Sequence, residues 1–155
     1  MEAITVEGIE GLRELIGQQL GPSDWHEVTQ DQVDAFAQLT GDDQWIHVDV
    51  ERARRDSPFG TTVAHGNLTL SLIDGFRRDV LQASGFKLGV NYGWNKVRFP
   101  APVPIPSKLR ASSEVVSVDE IGDGWWQVVT RFTVEIEGGE KPVCVADSVG
   151  RALAE

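Results

Sequence analysis

"VAHGNLTLSLIDGFRRDVLQASG", from Val63 to Gly85, decides how the chain folds. It contains no proline, and Leu68, Leu70, Leu72, Ile73, Phe76, Val80 and Leu81 set apolar side chains around more than one stripe of a helix. A helix resting on a protein surface needs one apolar stripe, whereas a helix enclosed by other structure is apolar over a wider arc. The stretch predicts a long central helix, and the rest of the chain must supply its cover.

Downstream, four runs read as strands: "KLGVNYGWNKVRF" (87–99), "SKLRASSEVVSV" (107–118), "GWWQVVTRFTVEIE" (124–137) and "PVCVADSVGRALA" (142–154). The turn signals "IGDG" and "EGGEK" separate the later ones. In the third run Trp126, Val128, Thr130, Phe132, Val134 and Ile136 share one face, opposite Gln127, Arg131 and Glu135. That period of two marks a half-buried antiparallel strand. The fold class is α+β, a single domain over 1–155 in which an antiparallel sheet covers one long helix so that both bury their apolar faces.

Between the first two runs, "FPAPVPIPSK" sets Pro100, Pro102, Pro104 and Pro106 at alternate positions. Alternate residues of an extended chain send their amides to the same side, so the prolines strip one edge of donors and forbid a ladder there. Such a segment is either an exposed connection or the rim of a binding site.

Upstream, Ile9, Leu12, Leu15, Ile16 and Leu20 recur at helical spacing until Gly21-Pro22, and "DWHEV" is a short strand candidate. Thr29-Gln30-Asp31-Gln32 reads as a capping box for a second helix carrying Val33, Phe36 and Ala37, with Gly41 as its stop.

The chain has 155 residues, 41% hydrophobic and 25% charged, the balance of a globular protein with a real core. A net charge of −10 argues against nucleic acid as a partner, because phosphate backbones are bound through excess Lys and Arg. No run approaches the roughly 20 apolar residues of a membrane span, and "MEAITVEGIEGL" lacks the basic start and apolar run of a secretory signal. A cytoplasmic protein without membrane contact is expected. The single Cys144 lies in the strand-like "PVCVADSV", where a buried structural thiol is expected.

Chemistry concentrates in "TGDDQWIHVD", Thr40 to Asp49. Asp42 and His47 follow the helix stop, and a bend there would aim both at one point, where a carboxylate and an imidazole sharing a water form a proton-transfer pair. Spacing alone also allows Asp42 to cap the next turn and His47 to be an ordinary polar residue. Asp42, Asp43, His47 and Asp49 offer mixed oxygen and nitrogen ligands without a recognised metal spacing, so no metal is expected. At "VAHGN", Gly66 has no side chain, so a ligand oxygen can approach its amide at the positive end of a helix, or the glycine simply permits tight packing.

"FAQLTGDDQWIHVDVERA" followed by "FGTTVAHGNLTLSL" resembles the MaoC-like dehydratases, the (R)-specific enoyl-CoA hydratases. Their signature is an aromatic residue, then Gly-Asp-x-Asn-Pro-aliphatic-His, and later aliphatic-Ala/Val-His-Gly at the start of the central helix. The resemblance implies a hot-dog fold, usually paired into a homodimer, and reversible syn hydration of a trans-2-enoyl-CoA to a (3R)-3-hydroxyacyl-CoA. It implies Asp42 and His47 as the catalytic pair and the Gly66 amide as donor to the thioester carbonyl. No cofactor is implied beyond the coenzyme A carried by the substrate.

The chain departs from the signature at Gln44-Trp45, where relatives carry Asn-Pro, so Trp45 either lines the acyl channel or packs beneath the loop. Relatives often carry a serine on the central helix where this chain has Asp74, and no role is carried over to Asp74 or to nearby Ser71. Arg52, Arg54 and Arg55, with Lys96, Arg98 and Lys108 near the prolines, are the candidates for coenzyme A phosphate contacts in an otherwise acidic chain. A non-catalytic acyl-thioester binding protein and an acyl-CoA thioesterase are the alternatives on the same fold.

Overall fold

The computed structural model describes residues 2–155. In chain order the elements are β1 (Ile4–Glu7), α1 (Gly8–Glu14), β2 (Gln19–Leu20), β3 (His26–Val28), α2 (Gln30–Thr40), α3 (Trp45–Val48), α4 (Val50–Asp56) and α5 (Gly66–Val80). There follow β4 (Leu81–Ser84), β5 (Phe86–Arg98), β6 (Ser107–Gly122), β7 (Trp125–Ile136) and β8 (Cys144–Ala154). The main sheet runs β2-β6-β7-β8-β5, with β3 also paired to β6, and every pairing in it is antiparallel.

This sheet wraps α5, giving the hot-dog arrangement. Leu68, Ile73 and Phe76 from the helix pack with Leu109 and Ala111 of β6, Phe132 and Val134 of β7, and Cys144 and Ala146 of β8. Each large side chain so enclosed contributes roughly 1.5–3 kcal/mol of apolar burial. The period-two reading of β7 holds at its centre, where Thr130, Phe132 and Val134 are buried while Arg131 and Thr133 are exposed. Burial pushes the Cys144 thiol up to about 11, as a structural cysteine requires. No helix among the described residues is long and apolar enough to cross a membrane.

Two helices are shorter than their apolar spacing predicts. The first ends at Glu14. Gly17 then takes a left-handed φ of 82°, Ile16 bridges to Val115, and Leu20 pairs with Ser113 in β2. Leu12, Leu15 and Leu20 still enter one buried cluster, so the spacing marked the right core residues while pairing with β6 overrode helix propensity. The central helix occupies Gly66–Val80 only. Val63 and Ala64 before it lie outside the helix, Val63 in an isolated bridge to Pro104, and Leu81 to Ser84 after it form β4, paired in parallel with β1 from Ile4↔Leu81 to Glu7↔Ser84.

The proline segment is paired through the residues between its prolines. The Ala64 amide donates to the Val103 carbonyl at 2.9 Å and the Ile105 amide donates to the Thr62 carbonyl at 3.0 Å. The residues between the prolines thus hold the arm that leads into α5.

Candidate active site

The capping box forms as expected: the Thr29 hydroxyl accepts from the Gln32 amide, and the Gln32 side chain accepts from the Thr29 amide. Gly41 ends α2 with a φ of 81°, a left-handed conformation that costs glycine little. Four residues later the chain makes α3, a single turn that carries His47. Asp49 caps α4 by accepting from the Arg52 amide, so its carboxylate is engaged in holding that helix.

Two histidines meet behind Asp42. His47 Nδ1 lies 2.6 Å from the Val63 carbonyl oxygen. A carbonyl only accepts, so Nδ1 carries the hydrogen and Nε2 keeps a lone pair. By the same logic His65 Nε2, 2.8 Å from the Asp42 carbonyl oxygen, is a donor. The rings stack with centroids 3.9 Å apart and planes 24° apart. Both are buried, at 8% and 2% exposure, while Asp42 is exposed. Nitrogen and carboxylate oxygen atoms of Asp42, His47 and His65 lie within 4.8 Å of one another. One water making two hydrogen bonds of about 2.8 Å spans such a gap with a bent angle.

The surroundings hold this arrangement in place. The Gln30 side chain donates to the His47 carbonyl at 2.7 Å and accepts from the Thr62 hydroxyl at 2.6 Å, tying α2, α3 and the arm before α5 together. The Val63 amide donates to the Ile46 carbonyl at 3.0 Å. At the tip of α5, His65 is the N-cap and no side chain caps the first turn, which leaves the leading amides to an external acceptor. Gly66 has a packing reason as well: a Cβ there would sit 2.9 Å from Phe99 Cε2. The ring of Phe99 therefore covers one side of the glycine.

A family model described as "MaoC like domain" matches residues 12–136 of this chain. The chain belongs to the MaoC-like dehydratase family. It is 49% identical over 150 residues to a protein named 3-hydroxyacyl-thioester dehydratase Z of Mycobacterium tuberculosis, covering 97% of this chain and 99% of that one. Among solved structures, one described as a monoamine oxidase regulatory protein from Archaeoglobus superposes with a TM-score of 0.80 at 27% identity, covering 100% of this chain and 99% of the other. An R-hydratase from Pseudomonas aeruginosa, in its unliganded form, superposes with a TM-score of 0.70 at 25% identity, covering 93% and 86%.

Other residues singled out in this MaoC-like chain fall in different places. Trp45 starts α3 partly buried, and the Arg52 guanidinium lies 4.2 Å from its ring centroid, a cation–π contact. Arg54 pairs with Glu51 at 3.3 Å, Arg55 with Asp56 at 3.2 Å, and Arg52 lies 3.9 Å from Asp56. These exposed pairs are worth at most about 1 kcal/mol each and yield readily to a stronger anion. Ser71 donates to the Asn67 carbonyl and Asp74 lies 3.9 Å from Arg77, both on the exposed face of α5. Neither has a contact with Asp42 or His47 in this chain.

The set Asp42, His47 and His65 has donor atoms at near-ligand spacing, with one nitrogen of each ring engaged with a backbone carbonyl and the other left for a shared water or ion. His65 and Gln30 are the participants that sequence reasoning did not assign. The histidine stood inside the quoted "VAHGN", whereas nothing in the sequence signals that Gln30 reaches His47.

Proposed function

We propose that the protein adds water reversibly across the double bond of a trans-2-enoyl-CoA to give a (3R)-3-hydroxyacyl-CoA. The protein is a hydro-lyase of the MaoC-like family; the substrate, the stereochemistry and the residue roles are the proposal. The observation that carries it is the convergence of the Asp42 carboxylate and the His47 imidazole beside an uncapped helix tip.

The tautomer argument makes His47 Nε2 an acceptor, so a water between it and Asp42 is polarised toward oxygen attack at C3 of the enoyl group. Attack pushes electrons through the conjugated double bond to the thioester oxygen. The Gly66 amide, at the positive end of α5, stabilises that developing charge. A proton from the same pair then reaches C2, and delivery of water and proton from one side makes the addition syn. Because the two groups share protons, each step belongs to the pair and not to one residue.

Arg52, already poised at Trp45 on the same side of α3, is the proposed contact for a coenzyme A phosphate. No cofactor beyond the substrate's own coenzyme A enters this reading. The protein is further proposed to act as a homodimer through β5. That strand ends the sheet, and Leu88, Val90, Tyr92 and Trp94 along it are exposed, so a second copy would cover both an open edge and an apolar surface.

The test is loss of enoyl-thioester absorbance when purified protein meets crotonyl-CoA. Asp42→Asn and His47→Asn should each lower kcat by about 10²–10⁴. Asparagine at 47 keeps a donor near the Nδ1 position for the Val63 carbonyl while removing Nε2. Arg52→Gln should raise KM with little change in kcat. Release of free thiol in place of hydration would convert the reading to a thioesterase, and a monomeric sedimentation profile would remove the dimer.

A further inference from the structure

We propose that His65 is a positioning residue that sets Asp42 against His47 through its ring N–H. The idea rests on the hydration reading above but concerns a side chain to which that reading gives no part. One ring touches both Asp42 and His47: its Nε2–H donates to the Asp42 carbonyl at 2.8 Å, and its face stacks on His47 at 3.9 Å.

Asp42 has little else to hold it. Its amide reaches the Thr40 hydroxyl at 3.3 Å, and the following amide, Asp43, reaches the Gly41 carbonyl at 3.2 Å. Both are at the long end of hydrogen-bond geometry, so the bond from His65 is the shortest tie on this loop among the described residues. His65 is itself well fixed. It is the N-cap of α5, its carbonyl accepts from the Thr69 amide at 3.2 Å, and the Phe36 ring lies 4.9 Å from it.

Stability alone does not account for a histidine here. Its Nδ1 is buried without a partner, which destabilises the folded state. An apolar ring of similar size would fill the space and bury no unpaired ring nitrogen, at the loss of the donor to Asp42. What histidine adds is a donor toward Asp42 combined with a flat face toward His47. Loss of that donor should let the carboxylate drift from the water it shares with His47, and a misplacement of about 1 Å at a reacting group is enough to slow turnover about 10²-fold.

Two substitutions separate the arms. His65→Phe keeps a stacked ring and removes the donor; His65→Gln keeps a donor at the Nε2 position and removes the stack. With crotonyl-CoA, His65→Phe should lower kcat by about 10–100-fold with KM within about threefold of wild type, and His65→Gln should recover to within about fivefold of wild type. Amide hydrogen exchange across residues 41–47 should speed up in His65→Phe and stay near wild type in His65→Gln. If His65→Phe does not fold, His65→Met, which fills the space without a donor, carries the same expectations. Unchanged kcat in the variant lacking the donor, a loss confined to KM, or an equal loss in His65→Gln would each overturn the proposal. Should wild type itself fail to hydrate crotonyl-CoA, the hydration reading falls, and the exchange comparison still decides whether His65 holds the Asp42 loop.

Discussion

At its first turn α5 meets two buried histidines, an uncapped set of amides and an exposed carboxylate, while at its last turn Val80 is enclosed by Leu12, Leu15, Leu20, Val115 and Val118. Polar atoms at the first end are left underused: among the described residues His65 Nδ1 has no partner, and His47 Nε2 makes no hydrogen bond to protein. The second end is held by apolar contact, by β4 continuing straight from the helix into its pairing with β1, and by His26 and Asp79 meeting at 2.7 Å. Even there one polar atom is stranded, since Arg77 Nε is buried without a partner and burial lowers the pKa of that guanidinium. One helix thus carries an end with incomplete bonding, where the proposed site lies, and an anchoring end that supplies stability, which is the division expected where binding needs open donors and acceptors.

The largest effect should come from the anchoring half. Phe76 is fully buried, packs with Ile73 and Phe132, and meets the His26 ring edge-on at 4.8 Å. Phe76→Ala should cost about 3–5 kcal/mol, a large part of the total stability of a typical domain. Urea unfolding measures this, and kcat of the fraction that stays folded should change far less than in Asp42→Asn. A large kcat loss without loss of stability would show that the two halves of α5 are not separable.

The same contrast explains what could be read without coordinates. The wide apolar arc of α5 and the alternation in β7 are local patterns, and the structure keeps both. The strands β1, β2 and β4 are two to four residues long and exist because distant segments pair with them, Ile4 with Leu81 and Leu20 with Ser113; nothing within their own residues encodes that. At the site, Asp42 and His47 were legible because both lie in one short loop-and-turn stretch. The stack of His65 on His47 joins residues eighteen apart through the arm held by Val103 and Ile105, and Gln30 reaches back from the start of α2. The basic cluster could have been read more sharply, since Glu51–Arg54 and Arg52–Asp56 stand at the spacing of ion pairs on one helix.

Between the two ends, Cys144 tests whether the middle of the core is as dry as its packing implies. Its thiol is raised to about 11 in the folded chain, from an ordinary value of 9.0, because burial disfavours the thiolate. The sign follows from linkage: the unfolded chain gives up this proton first, so the stabilisation is complete below about pH 9 and is lost as pH rises through about 11. Other groups titrate in that window too, so the comparison is with Cys144→Ala. The stability difference between wild type and that variant should shift by about 2 kcal/mol against wild type over the window, read from urea midpoints. Parallel pH curves would mean that solvent reaches the thiol and that the core is looser between the ends than at the anchoring one.

The smallest effect probes the reactive tip. A methyl group on Gly66 would meet Phe99 Cε2 at 2.9 Å, yet Phe99 is 43% exposed and has room to swing outward. Gly66→Ala should therefore change stability by less than about 1 kcal/mol, with better helix propensity offsetting the displaced ring. Turnover should fall about tenfold, because the methyl group and the moved ring crowd the approach to the amide proposed to receive the thioester oxygen. Phe99→Ala should relieve the crowding, so the double variant recovers activity relative to Gly66→Ala, and a coupling of about 0.5–1.5 kcal/mol in RT ln kcat measures the contact. Additive losses would show that Phe99 does not bear on the amide. A large stability loss with turnover intact would reverse the comparison, making the tip a packing joint and placing the acceptor of substrate charge elsewhere on the helix.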